Sequence, residues 1–160
     1  MTRRHTALAV GAIAAVLAAV PVVAFAIVPL FVKSTLDEPA PAAKATAPVP
    51  ASSSSPAPAA ALSGSLRRID AVHYGSGRVI LSEGFLRFEN VDIAGAPNMF
   101  VYLSDRADGQ PGGYVDLGPL RATNGSFNYM LPPAVDVSSV RSVVVWCRAF
   151  SVTVTYAVLA

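Results

Sequence analysis

A long apolar segment near the amino terminus limits most strongly what this chain can fold into. Residues 7–32 contain only apolar residues, glycine and proline, 26 in a row. As a helix, this run would extend about 39 Å, more than the roughly 30 Å of hydrocarbon in a bilayer. Arg3 and Arg4 precede it, so the positive-inside rule predicts a cytoplasmic amino terminus. The sequence therefore predicts a signal-anchor over residues 1–32, with one transmembrane helix and the remaining chain outside the cytoplasm.

A cleaved signal peptide is the alternative for the same segment. Ala24-Phe25-Ala26 has the small-x-small pattern of a cleavage site, and cleavage near Ala26 would release a secreted protein. The apolar run continues beyond that point through residues 27–32, which favours an uncleaved anchor in the cell membrane. Both alternatives place the following residues outside the cytoplasm.

Composition divides the rest of the chain into two parts. Residues 33–62 are mostly Ala, Pro and Ser, with six prolines and no apolar periodicity, which predicts a disordered linker that tethers a domain to the membrane. Residues 63–160 contain eight Arg, no Lys and eight acidic residues. A domain with no net charge lacks the basic surface that binds nucleic acid, so we do not expect nucleic acid as a partner.

Residues 63–160 have the pattern of an all-β domain. Short apolar or alternating runs are separated by Gly, Pro, Asn and Asp, and no stretch has a helical period. We predict an antiparallel β-sandwich or small barrel of about eight strands. Gly75-Ser76-Gly77 and Asn124-Gly125 are predicted hairpin turns. The predicted strands are 66–74, 78–82, 85–91, 99–104, 114–117, 126–131, 142–146 and 150–159.

The chain has a single cysteine, Cys147, so no disulfide can form within it. Strand alternation places Cys147 on one face with Val143 and Val145, and it places Trp146 and Arg148 on the opposite face. The residues leave several interpretations open. Cys147 is a buried, inert core thiol, a thiolate stabilised by Arg148 or by a bound cofactor, or the site of a disulfide between two copies of the chain.

The predicted domain has a single histidine, His73. One His and one Cys are too few for a blue-copper site or for a zinc site built from these residue types. A pair of Cys147 and His73, with Met99 or Met130 as a further ligand, could hold copper(I) or ligate haem, although the sequence requires neither. With one histidine and no G-x-S-x-G motif, the domain is not expected to be a stand-alone enzyme.

Several sequence blocks, in order along the domain, resemble a known family. The blocks are HYGSG at 73–77, FEN at 88–90, PNMFVYLS at 97–104, DLGPL at 116–120, NYMLP at 128–132 and VVVWCRAFSV at 143–152. Together they resemble the DM-thirteen domain, also called the electron-transfer DM domain, which accompanies DOMON and cytochrome-type domains in larger proteins. Small bacterial members are similar in carrying one amino-terminal membrane segment.

The resemblance implies a β-rich, extracytoplasmic domain with a redox role for its characteristic cysteine, here Cys147. We therefore expect a membrane-tethered electron-transfer domain in which Cys147 is the thiol or cofactor ligand and His73 is a second ligand or proton partner. Trp146 and Arg148 are supporting candidates. The expected partners are the membrane, through residues 7–32, and an envelope redox protein. The alternative is a non-catalytic binding or assembly module of the cell envelope.

Overall fold

Nine β-strands form two sheets in the computed structural model of the chain, which describes residues 33–41 and 61–160. The strands are β1 (Thr35–Asp37), β2 (Leu62–Ser65), β3 (Gly75–Ser82), β4 (Phe85–Ile93), β5 (Met99–Ser104), β6 (Tyr114–Pro119), β7 (Asn124–Met130), β8 (Ser142–Cys147) and β9 (Val152–Val158), with a 3-10 helix at Val137–Ser139. The predicted all-β fold is confirmed. The predicted transmembrane helix lies outside the described residues, and none of the helices within them could span a membrane.

The two sheets face each other across one apolar core, which makes the domain a β-sandwich. The first sheet has the strand order β1-β7-β4-β3-β2, and the second has the order β6-β5-β8-β9. All neighbouring strands are antiparallel except β1 and β7, which run parallel. Both sheets contribute fully buried apolar side chains, among them Val79, Leu81, Leu86, Phe88 and Phe127 from the first and Val101, Val143, Val145 and Val154 from the second.

The first predicted strand, 66–74, is wrong. These residues form a loop between β2 and β3, in which the backbone amides of Ile69 and Asp70 both donate to the carbonyl oxygen of His73. The Asp70 carboxylate accepts further bonds from the amides that follow it. Such local bonds compete with strand pairing, and they stabilise a turn in a segment whose apolar residues otherwise fit a strand.

The predicted turn at Gly75-Ser76-Gly77 is also wrong, because Gly75 begins β3. A Cβ atom at Gly75 would lie 2.4 Å from Oγ1 of Thr155 in β9, so the glycine is needed for close packing between strands. The hairpin between β3 and β4 instead turns at Glu83 and Gly84. Gly84 has a φ of 90°, a conformation that glycine adopts easily.

The predicted turn at Asn124-Gly125 lies within β7, and Gly125 contacts β1. A Cβ atom at Gly125 would lie 2.3 Å from the carbonyl oxygen of Leu36. The glycine therefore allows the backbone of β1 to approach β7. Its φ of 103° also fits a glycine, but the predicted hairpin turn is wrong because both residues belong to a strand.

Strand β1 lies within the segment that was predicted to be a disordered linker, and for residues 35–37 that prediction is wrong. Each β1 residue pairs with a residue of β7. Glu38 then forms two hydrogen bonds of 2.7 Å with the guanidinium of Arg121. The pairing partners follow β1 by almost ninety residues, so local composition could not reveal them. The prediction is also wrong for Leu62, which begins β2. Residues 42–60 of the predicted linker lie outside the described residues.

The strand directions define two ends of the sandwich. One end, which we name the cavity end after the cavity that lies there, contains the starts of β1, β3, β5, β7 and β9 and the ends of β4 and β8. The far end contains the turn at Gly84 and the exposed side chain of Met130. Along β4, from Phe85 to Ile93, the two ends are about 26 Å apart at 3.3 Å per residue. The chain enters β1 at the cavity end and enters β2 near the far end.

Substitution of Gly125 tests the docking of β1. Gly125→Ala and Gly84→Ala each place a Cβ atom on a backbone with positive φ, but at Gly84 no atom lies within 4 Å. We expect Gly125→Ala to lower the free energy of unfolding by about 1–3 kcal/mol more than Gly84→Ala does, because only the former pushes on β1. Urea unfolding of the full chain in detergent measures the difference. Equal losses in the two variants would show that β1 does not pack against β7.

Candidate functional site

Three chain connections enclose a cavity of about 420 Å³ at the cavity end of the sandwich. They are the loop that precedes β3, the connection from β4 to β5, and the turn from β8 to β9. The walls are mainly apolar, with one imidazole and one thiol among them. The lining residues are Ala71, Val72, His73, Tyr74, Ala94, Gly95, Ala96, Cys147, Phe150, Val152 and Val154.

Cys147 is the last residue of β8, between Met99 of β5 and Val152 of β9. It is completely buried, and Val143 and Val145 on the same face of β8 are also buried in the core. The face predicted from strand alternation is therefore confirmed. The thiol is free and donates a hydrogen bond of 3.1 Å to the carbonyl oxygen of Pro97. In this arrangement the sulfur is protonated and borders the cavity.

The carbonyl group that accepts from the thiol belongs to a tightly fixed connection. Asn98 follows Pro97 and has a φ of 55°, a left-handed conformation that asparagine tolerates better than most residues. The carbonyl of Asn98 accepts a hydrogen bond of 3.1 Å from the amide of Arg148. The connection is thus bonded twice at the end of β8, once by the Cys147 thiol and once by the backbone amide of the next residue, Arg148.

His73 lies in the loop that precedes β3, lines the same cavity and is oriented by Asp70. One oxygen of the Asp70 carboxylate accepts from the amides of Val72 and His73 at 2.8 and 2.6 Å, and the other lies 2.7 Å from Nδ1 of His73. These hydrogen bonds lower the pKa of Asp70 to about 2, with the His73 side chain as the largest cause. Because the ionised carboxylate only accepts, Nδ1 carries a proton, and in the neutral imidazole Nε2 is the nitrogen that can accept or ligate.

The structure brings His73 and Cys147 to one cavity but separates them from Arg148. The Arg148 side chain lies on the outer face of the second sheet. There its guanidinium stacks 3.4 Å from the centre of the Phe100 ring, donates to the Tyr102 hydroxyl at 2.7 Å and forms an ion pair with Asp116. These contacts occupy the guanidinium, so the predicted stabilisation of a thiolate by Arg148 is not supported by its position.

The remaining candidates, Trp146, Met99 and Met130, lie at different places in the sandwich. Trp146 pairs with Phe100 on the outer face, where it borders a second depression beside Tyr156. Met99 is partly buried and lies directly opposite Cys147 in the sheet register. Met130 is 78% exposed at the far end of the sandwich, which excludes it as a ligand shared with Cys147.

Sequence analysis missed two parts of this site. Asp70 precedes His73 by three residues, and the D-x-x-H spacing was a detectable signal because an aspartate at that distance can accept from both the amide and the ring. Val72 and Phe150, whose exposed side chains lie at the mouth of the cavity, both fall within predicted strands. Their exposure depends on how three distant connections meet, which no local pattern shows.

The donor set limits what the cavity can hold. A mostly apolar cavity of this volume, with a few polar groups, is typical of small-molecule and cofactor sites. Within the described part of the chain, no three His, Cys, Asp or Glu side chains are grouped closely enough to form a metal site by themselves. A soft metal ion bound here would therefore take two protein donors, the Cys147 sulfur and Nε2 of His73.

Comparison with known proteins identifies a family for the region that contains this site. A family model described as Electron transfer DM13 matches residues 69–159, more than half of the chain. The matched region contains His73, Cys147 and all strands from β3 to β9. No curated protein and no solved structure matches the chain.

Acidification tests the interaction between Asp70 and His73. The pKa of this carboxyl is lowered from 3.8 to about 2 in the folded protein, so its stabilising effect on the loop is complete above 3.8 and is lost as the pH falls towards 2. We expect hydrogen-exchange protection of the Val72 and His73 amides to decrease across that window. In Asp70→Asn, protection should be lower and independent of pH there. A wild-type loop with constant protection from pH 5 to about 2 would contradict this account.

Proposed function

The chain belongs to the Electron transfer DM13 family, and from this we propose that it is a membrane-tethered, extracytoplasmic electron-transfer domain centred on Cys147. The observation that carries the proposal is the joint position of Cys147 and His73 in one cavity. The only cysteine of the chain borders a space large enough for a bound group, and the only histidine of the matched region lies in the same walls. Residues 7–32 supply the anchor, and the redox partner is an envelope protein.

A single thiol cannot cycle between dithiol and disulfide within one chain. The proposed role therefore requires a bound redox cofactor, with the Cys147 sulfur as its ligand. Thiolate and imidazole donors fit copper, which in its bound form supplies a one-electron couple. Haem is the larger alternative, and Cys147 would supply one ligand to its iron. Copper is the better fit because two suitable donors, a thiol and an imidazole, line this cavity.

Ligation requires the Cys147 thiol to lose its proton. The proton now lies in the hydrogen bond to the Pro97 carbonyl, and this bond is given up when the thiolate binds a metal. With Nδ1 of His73 held by Asp70 and Nε2 as the second ligand, the thiol proton would be released to solvent when a metal binds. Affinity for the cofactor should therefore increase with pH.

Copper binding by the purified full chain in detergent tests the proposal. We expect Cys147→Ala to lower copper(I) affinity at least 100-fold and His73→Ala to lower it about 10- to 100-fold, since each removes a donor or its support. Met130→Ala is the matched control, because it removes an exposed sulfur at the far end and should have no effect. A chelator competition under anaerobic conditions gives the affinities, and haemin is tested separately by its absorbance spectrum.

Two results would overturn the proposal. One is copper or haemin affinity that is unchanged in Cys147→Ala. The other is an absence of binding by the wild-type chain together with a thiol that reacts with labels only after unfolding. The second result would identify Cys147 as an inert core thiol and would favour a binding or assembly module of the cell envelope.

A further inference from the structure

Exposed apolar side chains gather at the mouth of the cavity. In the described residues, five large apolar side chains are strongly exposed, and three of them belong to two of the connections that border the cavity: Ile69 at 46%, Val72 at 66% and Phe150 at 56%. Val72 and Phe150 line the cavity itself, and Ile69 belongs to the same loop as Val72. These three residues are called the apolar rim. Clustered exposure of this kind is typical of an interaction surface, whereas single exposed apolar residues are ordinary.

The chain reaches the domain at the same end. Lys33 directly follows the apolar segment 7–32. Its ammonium group lies 5.7 Å from the centre of the Tyr74 ring, which lines the cavity, and it forms an ion pair with Asp92 near the end of β4. Lys33 is the first described residue, so the described chain enters the domain at the cavity end.

Little chain is free between the apolar segment and the fold. Ser34 and Thr123 exchange several hydrogen bonds of 2.9 to 3.2 Å, and β1 follows at residue 35. The parallel pairing with β7 and the ion pair between Glu38 and Arg121 hold this entry in place. The chain is thus fixed to the domain from Lys33 to Glu38, in contrast to the long tether expected from residues 33–62.

Basic side chains flank the apolar rim. Arg67 and Arg68 are exposed and directly precede Ile69 in the loop. The acidic groups beside them are already engaged, since Asp70 binds His73 and Asp92 binds Lys33. Exposed apolar residues beside arginine and lysine are the pattern of surfaces that insert into the headgroup layer, where basic groups attract anionic lipid.

We propose that the apolar rim docks on the lipid bilayer, so that the cavity containing Cys147 opens at the membrane surface. The inference rests on the membrane anchoring in the proposed function and adds an orientation to it. Ile69, Val72 and Phe150 enter the interface, Arg67 and Arg68 lie at the headgroups, and the far end of the sandwich points away from the membrane.

Lipid quenching of tryptophan fluorescence in the full chain tests this orientation. The background variant Trp146→Phe removes the only native tryptophan. Phe150→Trp then reports on the rim, and Met130→Trp, about 26 Å away along the strands, is the matched control at the far end. The protein is reconstituted into vesicles of phosphatidylcholine and phosphatidylglycerol with brominated acyl chains. We expect strong quenching for Phe150→Trp and none for Met130→Trp, relative to unbrominated vesicles.

A second reporter protects the test against a misfolded variant. Val72→Trp places the probe in a different connection of the same rim and should be quenched like Phe150→Trp. Vesicle-bound protein in which neither rim probe is quenched, or in which Met130→Trp is quenched equally, would overturn the docking while leaving the anchoring intact. Protein that does not associate with the vesicles would overturn the anchoring and the docking together. Copper binding in detergent is independent of all these results.

Discussion

The pairing of β8 with both of its neighbours is the constraint on which the site depends. Its register places Cys147 between Met99 of β5 and Val152 of β9. The same alternation places Val143 and Val145 in the core between the sheets, so a slip by one residue would remove both valines from that core. The thiol is thus held at the edge of the cavity by the packing of the entire strand, independently of any property of sulfur.

The chain entry and the cavity lie at the same end of the fold. Because β1 is parallel to β7, the chain enters beside the start of β7 and close to Tyr74. The Pro/Ala/Ser-rich segment connects β1 to β2, and these two strands form the opposite edges of the first sheet. Composition suggested that this segment directly follows the apolar run as a tether. In the structure, β1 lies between the apolar run and the rest of the segment.

Sequence patterns predicted the features that depend on neighbours in the chain. The face of Cys147, the all-β class and most strand positions follow from alternation with a period of two, which a buried sheet enforces. The errors lie where distant contacts decide the outcome. Gly75 and Gly125 are typical turn residues, yet their close contacts with Thr155 and Leu36 place them in strands. Alternation correctly places Arg148 on the face opposite Cys147, where Asp116 and Tyr102 hold its guanidinium away from the thiol.

The central claim is that Cys147 and His73 act together as ligands of one redox group. X-ray absorption at the copper edge of the loaded full chain tests it most directly, because the method identifies the atoms around the metal. The account predicts one sulfur and one imidazole nitrogen among the scatterers in the wild type, with the sulfur absent in Cys147→Ala and the imidazole absent in His73→Ala. A copper environment that is the same in wild type and both variants, or one without sulfur, would contradict the account.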